Sequence, residues 1–390
     1  MAAAMKESLA SDLAREIYEL KTEEMSTPSL LIYPEIVRQN IARTIETLGG
    51  DAGRWRPHLK TAKLAAVMKM LVGAGVSTAK CATTLELLTA CQSGMRDVLV
   101  AYPHTGANAK RVAEIGAAFP NVRISVLVDK STEIGSWIGT PTGLFIDINP
   151  GMDRTGVGRQ CLEEAAAIAA EIKHAGLEFR GVHFYDGNST EANLEERTEH
   201  AHKRYDELLQ LIKGLEARGI AVNEVITSGT PAVPCALSYR GLWEAKFRHQ
   251  VSPGTVVYND ASSLGQLPAE YGLAPAALVV SRVISHPTAR IFTCDAGHKS
   301  VSVDSGVPHC LFLGHPEYEA MKPSEEHLPC LVQDGRSLPA IGSVLYLIPR
   351  HVCPTVNNFD WAAMVEKGGI SATERVTARG REGPLFADPR

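Results

Sequence analysis

The chain has 390 residues and a net charge of −5, with 45% hydrophobic and 21% charged residues. That length exceeds what one hydrophobic core ordinarily serves, so at least two domains are expected. No basic tract or aromatic-basic stripe points to nucleic acid, and no apolar run is long enough to span a bilayer.

Residues 1–28 read as an amphipathic helical segment without the apolar centre of a signal peptide, which predicts a cytoplasmic protein. From residue 29 the chain alternates short β-rich runs with helical runs. "SLLIYP", "RWRPHL", "STAKCA", "DVLVAYP", "RISVLVD", "GLFIDIN", "FRGVHFY", "VNEVITSG" and "FRHQVSPG" are the strand-like pieces. Strands of about five residues separated by helices of ten or more mean repeated βαβ units. Their number favours a closed α/β barrel, a TIM-like (β/α)8 fold over residues 29–264, against an open doubly wound sheet. No G-x-G-x-x-G follows the first strand, which argues against dinucleotide binding. Beyond the boundary near "SSLGQLPAEYGLAP", residues 265–390 read as a mostly antiparallel β domain. Its strand-like runs are "ALVVSRVISH", "ARIFTCDAG", "KSVSVDSG", "HCLFLG", "GSVLYLIPRHVC" and "GGISATERVTARG". The eight cysteines include no C-x-x-C pair and are expected as thiols.

Barrel enzymes collect their reactive groups where strands end. The run "RPHLKTAK" places Lys60 at such an end. Burial and the neighbouring Arg56 and Lys63 would favour an uncharged, nucleophilic amine there, although a solvated lysine has the same sequence. Other strand ends offer Asp147, Asp153 and Arg154, then His183, Tyr185 and Asp186. The loops Ser228–Gly229–Thr230 and Gly254–Thr255, with Tyr258 beyond, are small enough for backbone N–H groups to hold a phosphate. A lysine, a phosphate cradle and a barrel together suggest pyridoxal phosphate. In "HVCPTVN", His351 and Cys353 are two apart. In an extended segment both would face one way and form half of a zinc-like site.

At these residues the chain resembles the D-threonine aldolase and D-serine dehydratase family, fold-type III pyridoxal phosphate enzymes related to alanine racemase. "RPHLKTAK" matches that family's R-P-H-x-K-[TA]-x-K motif. "MDRTGVG", the two glycine loops, "CDAGHKS" and "SEEH" match as well. The resemblance runs from "TPSLLIYPEIVRQNI" to "HVCPTVNNFD". It implies that Lys60 carries the cofactor, with His58, Arg154, Tyr185, Ser228, Gly229, Thr230, Gly254, Thr255, Tyr258 and Asp295 around it. It also implies that His351 and Cys353 bind a divalent metal. A cysteine favours zinc for that metal, with manganese or magnesium as the alternatives. Two departures stand out. His-x-Cys is the dehydratase pattern where aldolases carry His-x-Asp. The histidine that aldolases place after the "AYHG"-like turn is missing from "FYDGNSTEANLEER", which leaves His183, Tyr185 or Asp186 as candidate bases.

The resemblance implies a lyase acting on D-3-hydroxy-α-amino acids, by retro-aldol cleavage to glycine and an aldehyde. The alternative is dehydration of D-serine or 3-hydroxy-D-aspartate to a 2-oxo acid and ammonia. A metal-free amino-acid racemase and a non-catalytic pyridoxal phosphate carrier are the other classes. "HVCPTVN" argues against the first, and the long β domain against the second. The implied assembly is a homodimer whose only partner is a small D-amino acid.

Overall fold

The structure, a computed structural model, describes residues 17, 18, 20 and 25–389. The helical segment expected over residues 1–28 therefore lies largely outside the described residues.

The described chain forms two compact units. One holds Ile45–Lys60, Met68–Gly254 and the chain from Gly380. The other holds the described residues up to Thr44, Thr61–Val67 and Thr255–Arg379. The units interleave along the chain: one break falls between Gly254 and Thr255, and the described residues up to Thr44 join the later part. The cause is the first strand, β1 (Ser29–Ile32). It was expected to open the barrel. It pairs instead with strands of the second half, antiparallel to Ala277–Ser285 and parallel to Trp361–Glu366. A short strand buried on both faces carries the same apolar signature in either sheet.

The first unit is the barrel. Its parallel strands are β2 (Thr78–Cys81), β3 (Asp97–Val100), β4 (Arg123–Val128), β5 (Gly143–Asn149), β7 (Phe179–Phe184), β8 (Glu224–Thr227) and β9 (Arg248–Val251). A two-residue β6 (Val157–Gly158) lies beside β5. The eighth stave is the segment 55–58. It is joined by single parallel bridges, Trp55 to Val251 on β9 and His58 to Lys80 on β2. Subtracting β1 from the nine expected strand runs leaves these eight.

The inward residues form layers. Leu99, Leu127, Phe145 and Ile226 make an apolar one. Nearer the strand starts lies an ionic one. Arg56 donates to Gln250 (2.7 Å), Asp97 (2.8 Å) and Glu224 (3.4 Å). Arg180 donates to Asp97 (2.7 Å), Glu224 (2.6 Å) and Ser125 (2.7 Å). Both arginines are fully buried. Burial pushes the Asp97 carboxyl up, but Arg56 and Arg180 outweigh it and hold it at about 2.

The second unit is a sheet in which β1 lies between β10 (Ala277–Ser285) and β16 (Trp361–Glu366). Beyond β10 come β11 (Ile291–Cys294), β14 (Leu328–Val332) and β13 (Tyr318–Ala320); beyond β16 comes β17 (Gly369–Arg375). The strand β15 (Val344–Pro349) joins β10 to β12 (Cys310–Phe312). Except for the β1–β16 pair, every pairing is antiparallel. Phe292, Phe312 and Tyr318 pack edge to face in its core, with ring centroids 5.0 to 6.1 Å apart. The run "KSVSVDSG", expected as a strand, has no strand pairing; Lys299, Ser300, Asp304 and Ser305 lie in turns. All eight cysteines are free thiols, and seven of them are buried.

Candidate active site

In the barrel unit the site begins at the stave 55–58. Its residues alternate, so Arg56 turns into the ionic layer and is neutralised there. Lys60 lies in the turn after the stave, half-buried, and its backbone N–H donates to His58 Nδ1 at 3.3 Å. Lys63 belongs to the other unit. Its backbone is left-handed (φ 49°), and its ammonium donates to the Ala378 carbonyl at 3.2 Å.

A lysine that motif reading did not place in the site lies next to this stave. Lys80, the penultimate residue of β2, is 1% exposed, and its Nζ stands 3.1 Å from His183 Nε2. His183 Nδ1 is 2.7 Å from Asp147 Oδ1, and Asp147 Oδ2 accepts from the Thr155 hydroxyl at 2.7 Å. Burial, then Lys60, brings the Lys80 ammonium down to about 7 against the opposing pull of Asp147 and Asp186. Burial, then Lys80, also lowers His183, which favours its neutral form. The run "STAKCA" carried one signal: a lysine inside a strand buried on both faces.

Tyr185 follows β7. The Arg154 guanidinium stands 5.0 Å from its ring centroid, and Lys80 Nζ 5.2 Å. Two glycines make room for the ring. A Cβ on Gly229 would lie 3.0 Å from Tyr185 Cε2, and one on Gly187 would lie 2.3 Å from Cε1. Asp186 is fully buried and accepts from the Tyr205 hydroxyl at 2.5 Å. Burial raises its carboxyl, although Tyr205 opposes the shift. Ser228 holds a left-handed backbone (φ 62°), which bends the chain after β8 into the Gly229–Thr230 turn. Ser252, just before Pro253–Gly254, has a buried hydroxyl without a hydrogen-bond partner.

In the β unit, His351 and Cys353 are not on an extended run. Val352–Val356 is a short helix, His351 is its flanking residue (φ −131°, ψ 107°), and Cys353 lies in its first turn. The two side chains still meet through a hydrogen bond. His351 Nδ1 is 2.6 Å from Asp304 Oδ2, and Cys353 Sγ is 3.0 Å from the Thr61 hydroxyl. Burial works against charge on His351, but Cys353 and Asp304 prevail and raise it to about 9. Among the described residues no three His, Cys, Asp or Glu side chains are grouped for a metal. Asp304, exposed and missed by motif reading, orients the imidazole.

Two other expected cofactor contacts are already engaged within the β unit. Tyr258 is buried, and its hydroxyl donates to the Ala62 carbonyl at 2.8 Å. Asp295 accepts from Ser281 (2.6 Å), the Arg282 N–H (2.9 Å) and Thr27 (2.5 Å).

The family profile described as "Alanine racemase, N-terminal domain" matches residues 32–262. The chain belongs to that family. A second profile, "Putative serine dehydratase domain", matches residues 276–365. A 3-hydroxy-D-aspartate aldolase from Paracoccus denitrificans is 26% identical over 374 residues, covering 92% of this chain and 93% of the relative. A D-threo-3-hydroxyaspartate dehydratase from Delftia sp. is 25% identical over 379 residues, covering 90% and 97%. The crystal structure of D-threonine aldolase from Filomicrobium marinum superposes with a TM-score of 0.83 at 26% identity, covering 93% and 98%. The fold is alanine-racemase-like, and fold-type III membership implies pyridoxal phosphate as the cofactor.

Proposed function

We propose that this protein is a pyridoxal phosphate- and divalent-metal-dependent lyase that cleaves D-3-hydroxy-α-amino acids to glycine and an aldehyde. The observation that carries the reading is the His351–Cys353 pair with Asp304 on the imidazole. A racemase has no use for that pair. Aldolases of hydroxy amino acids also match this chain over nearly its whole length.

The residues present fit both groups. The unpartnered Ser252 hydroxyl and the turn after Ser228 offer polar atoms for a phosphate. Carboxylate–imidazole support beside a cysteine is the donor chemistry of a zinc-type ion. We assign Lys60 as the cofactor's covalent anchor and Tyr185, with Arg154, as the support for its ring. The backbone at Ser228–Thr230 and Gly254–Thr255 is assigned to the phosphate, and His351 and Cys353 to zinc. Bound pyridoxal phosphate supplies an electron sink at the substrate's α-carbon, and the metal supplies a Lewis acid for its β-hydroxyl. Cleavage further requires a protein group that takes the β-hydroxyl proton.

Dehydration to a 2-oxo acid and ammonia is the second reading. It is favoured by Cys353 itself and by the dehydratase relative. The cytoplasm as location and a homodimer as assembly complete the assignment; light scattering tests the latter. D-threonine, D-serine and 3-hydroxy-D-aspartate should be incubated separately with the metal-loaded holoenzyme. Glycine plus aldehyde is the expected outcome. A 2-oxo acid and ammonia alone would establish dehydration, and neither product would remove the lyase reading.

A further inference from the structure

We propose that Lys80 is the proton acceptor of the reaction, a catalytic base held in place by the His183–Asp147 pair. This rests on the function proposed above and supplies the base that the missing histidine leaves open. None of the three earlier candidates has a better claim. Both ring nitrogens of His183 are engaged, one with Asp147 and one with Lys80. Asp186 is buried and tied to Tyr205. Tyr185 has its ring packed on Gly229 and beside Arg154.

Lys80 differs from the two arginines of the ionic layer. Arg56 and Arg180, equally buried, are each matched to carboxylates. The side-chain partner of Lys80 is an imidazole. Asp147 accepts from His183 Nδ1–H, which fixes the tautomer whose Nε2 lone pair accepts from Lys80. A neutral amine so held donates one N–H to His183 and keeps its lone pair for another proton. Three strand ends converge to build this chain: β2, β5 and β7. His58 bridges to Lys80, so Lys60 lies two residues beyond that bridge, in the turn that follows the adjacent stave. The charged groups that bear on the amine are Lys60 and Arg56, which disfavour its proton, and Asp147 and Asp186, which favour it. The Tyr185 ring and neutral His183 also face it. In the cleavage step the O–H bond of the β-hydroxyl breaks and an N–H bond forms on Lys80. The aldehyde C=O forms as Cα–Cβ breaks, and the electron pair stays with the α-carbon. A proton from Lys80 then closes the new Cα–H bond of glycine, which restores the amine.

The test uses holoenzyme made with 13C-labelled lysine. The Lys80 signal is identified by its loss in Lys80→Met, and its shift is followed with pH. A midpoint well below the roughly 10.4 of a solvated lysine is expected, because burial, the largest cause of the shift, persists when Lys60 carries the cofactor. Asp147→Asn should move it down, because Asp147 favours the proton. Lys80→Met should keep the bound cofactor's visible absorbance and lose on the order of 10²–10⁴ in kcat/KM. Lys80→Arg, which keeps the charge and covers the case where Lys80→Met misfolds, should be equally inactive because arginine does not release its proton. Wild-type turnover with Lys80→Met or Lys80→Arg within a few fold of it overturns the proposal alone, as does a Lys80 midpoint near that of a solvated lysine. A wild type that forms neither product overturns both this proposal and the lyase reading.

Discussion

Asp97→Asn probes the ionic layer inside the barrel. In the wild type two buried arginines, Arg56 and Arg180, face two carboxylates, Asp97 and Glu224, and the half-exposed Arg123 reaches the same carboxylates from the rim. Asparagine keeps one acceptor but removes a charge, so a net cation remains among side chains that water does not reach. Breaking a buried pair from one side costs about 3–5 kcal/mol. The retained acceptor places the expected loss toward the lower end, still a drop in melting temperature on the order of ten degrees. The pH dependence fixes the cause. Asp97 is depressed to about 2, and an unfolded aspartate sits near 3.9, so the pair contributes fully above about pH 4. That contribution disappears as the pH falls toward 2. Thermal unfolding of the cofactor-loaded protein should therefore show wild type and Asp97→Asn far apart at pH 7 and drawing together below pH 4. A difference under about 1 kcal/mol at pH 7, or one that does not shrink in acid, would refute the reasoning.

Borohydride reduction followed by peptide mapping should put the cofactor label on Lys60, and Lys60→Ala should lose the bound cofactor's absorbance while the chain stays folded; a label on Lys63 or Lys80 contradicts the assignment. Cys353→Ala should lose the metal and the activity but keep the cofactor, and Asp304→Asn should weaken metal affinity about 10–100-fold by freeing the His351 ring, both read by metal analysis after dialysis. Full activity in EDTA with substoichiometric metal would reject that site. Gly229→Val sets a branched side chain against the Tyr185 ring, which a Cβ alone would approach to 3.0 Å, so cofactor affinity should fall; an unchanged affinity removes this loop from the site.

Much of the architecture is legible because βα alternation has a length signature, and eight strand runs do form the barrel. What sequence cannot supply is the partner of each strand. Leu30, Leu31 and Ile32 are apolar enough for either sheet, and only Val279, Leu278 and Ala277 across the ladder decide between them. The same limit applies to side chains. "RPHLKTAK" displays its cations in a row, yet Arg56 serves the ionic layer, Lys63 ties down Ala378, and Lys60 stays in the turn after the stave. His351 and Cys353 lie across a helix start and not along the extended segment expected for them. Lys80 and Asp304 acquire meaning only from residues about a hundred and about fifty positions away, distances that no local motif spans.

The placement of β1 also bears on how the chain is made. Leu30 waits for Val279, roughly 250 residues later, and then for Ala362 on its other edge. At about 5–20 residues per second, synthesis leaves "LLIY" without either neighbour for on the order of ten to fifty seconds, while every barrel strand emerges in between. An apolar strand with two open edges is a template for wrong pairing. The nascent chain is thus exposed to misassembly at β1, and a charged substitution at Ser29, the half-buried residue of that strand, is a change suited to improve its yield.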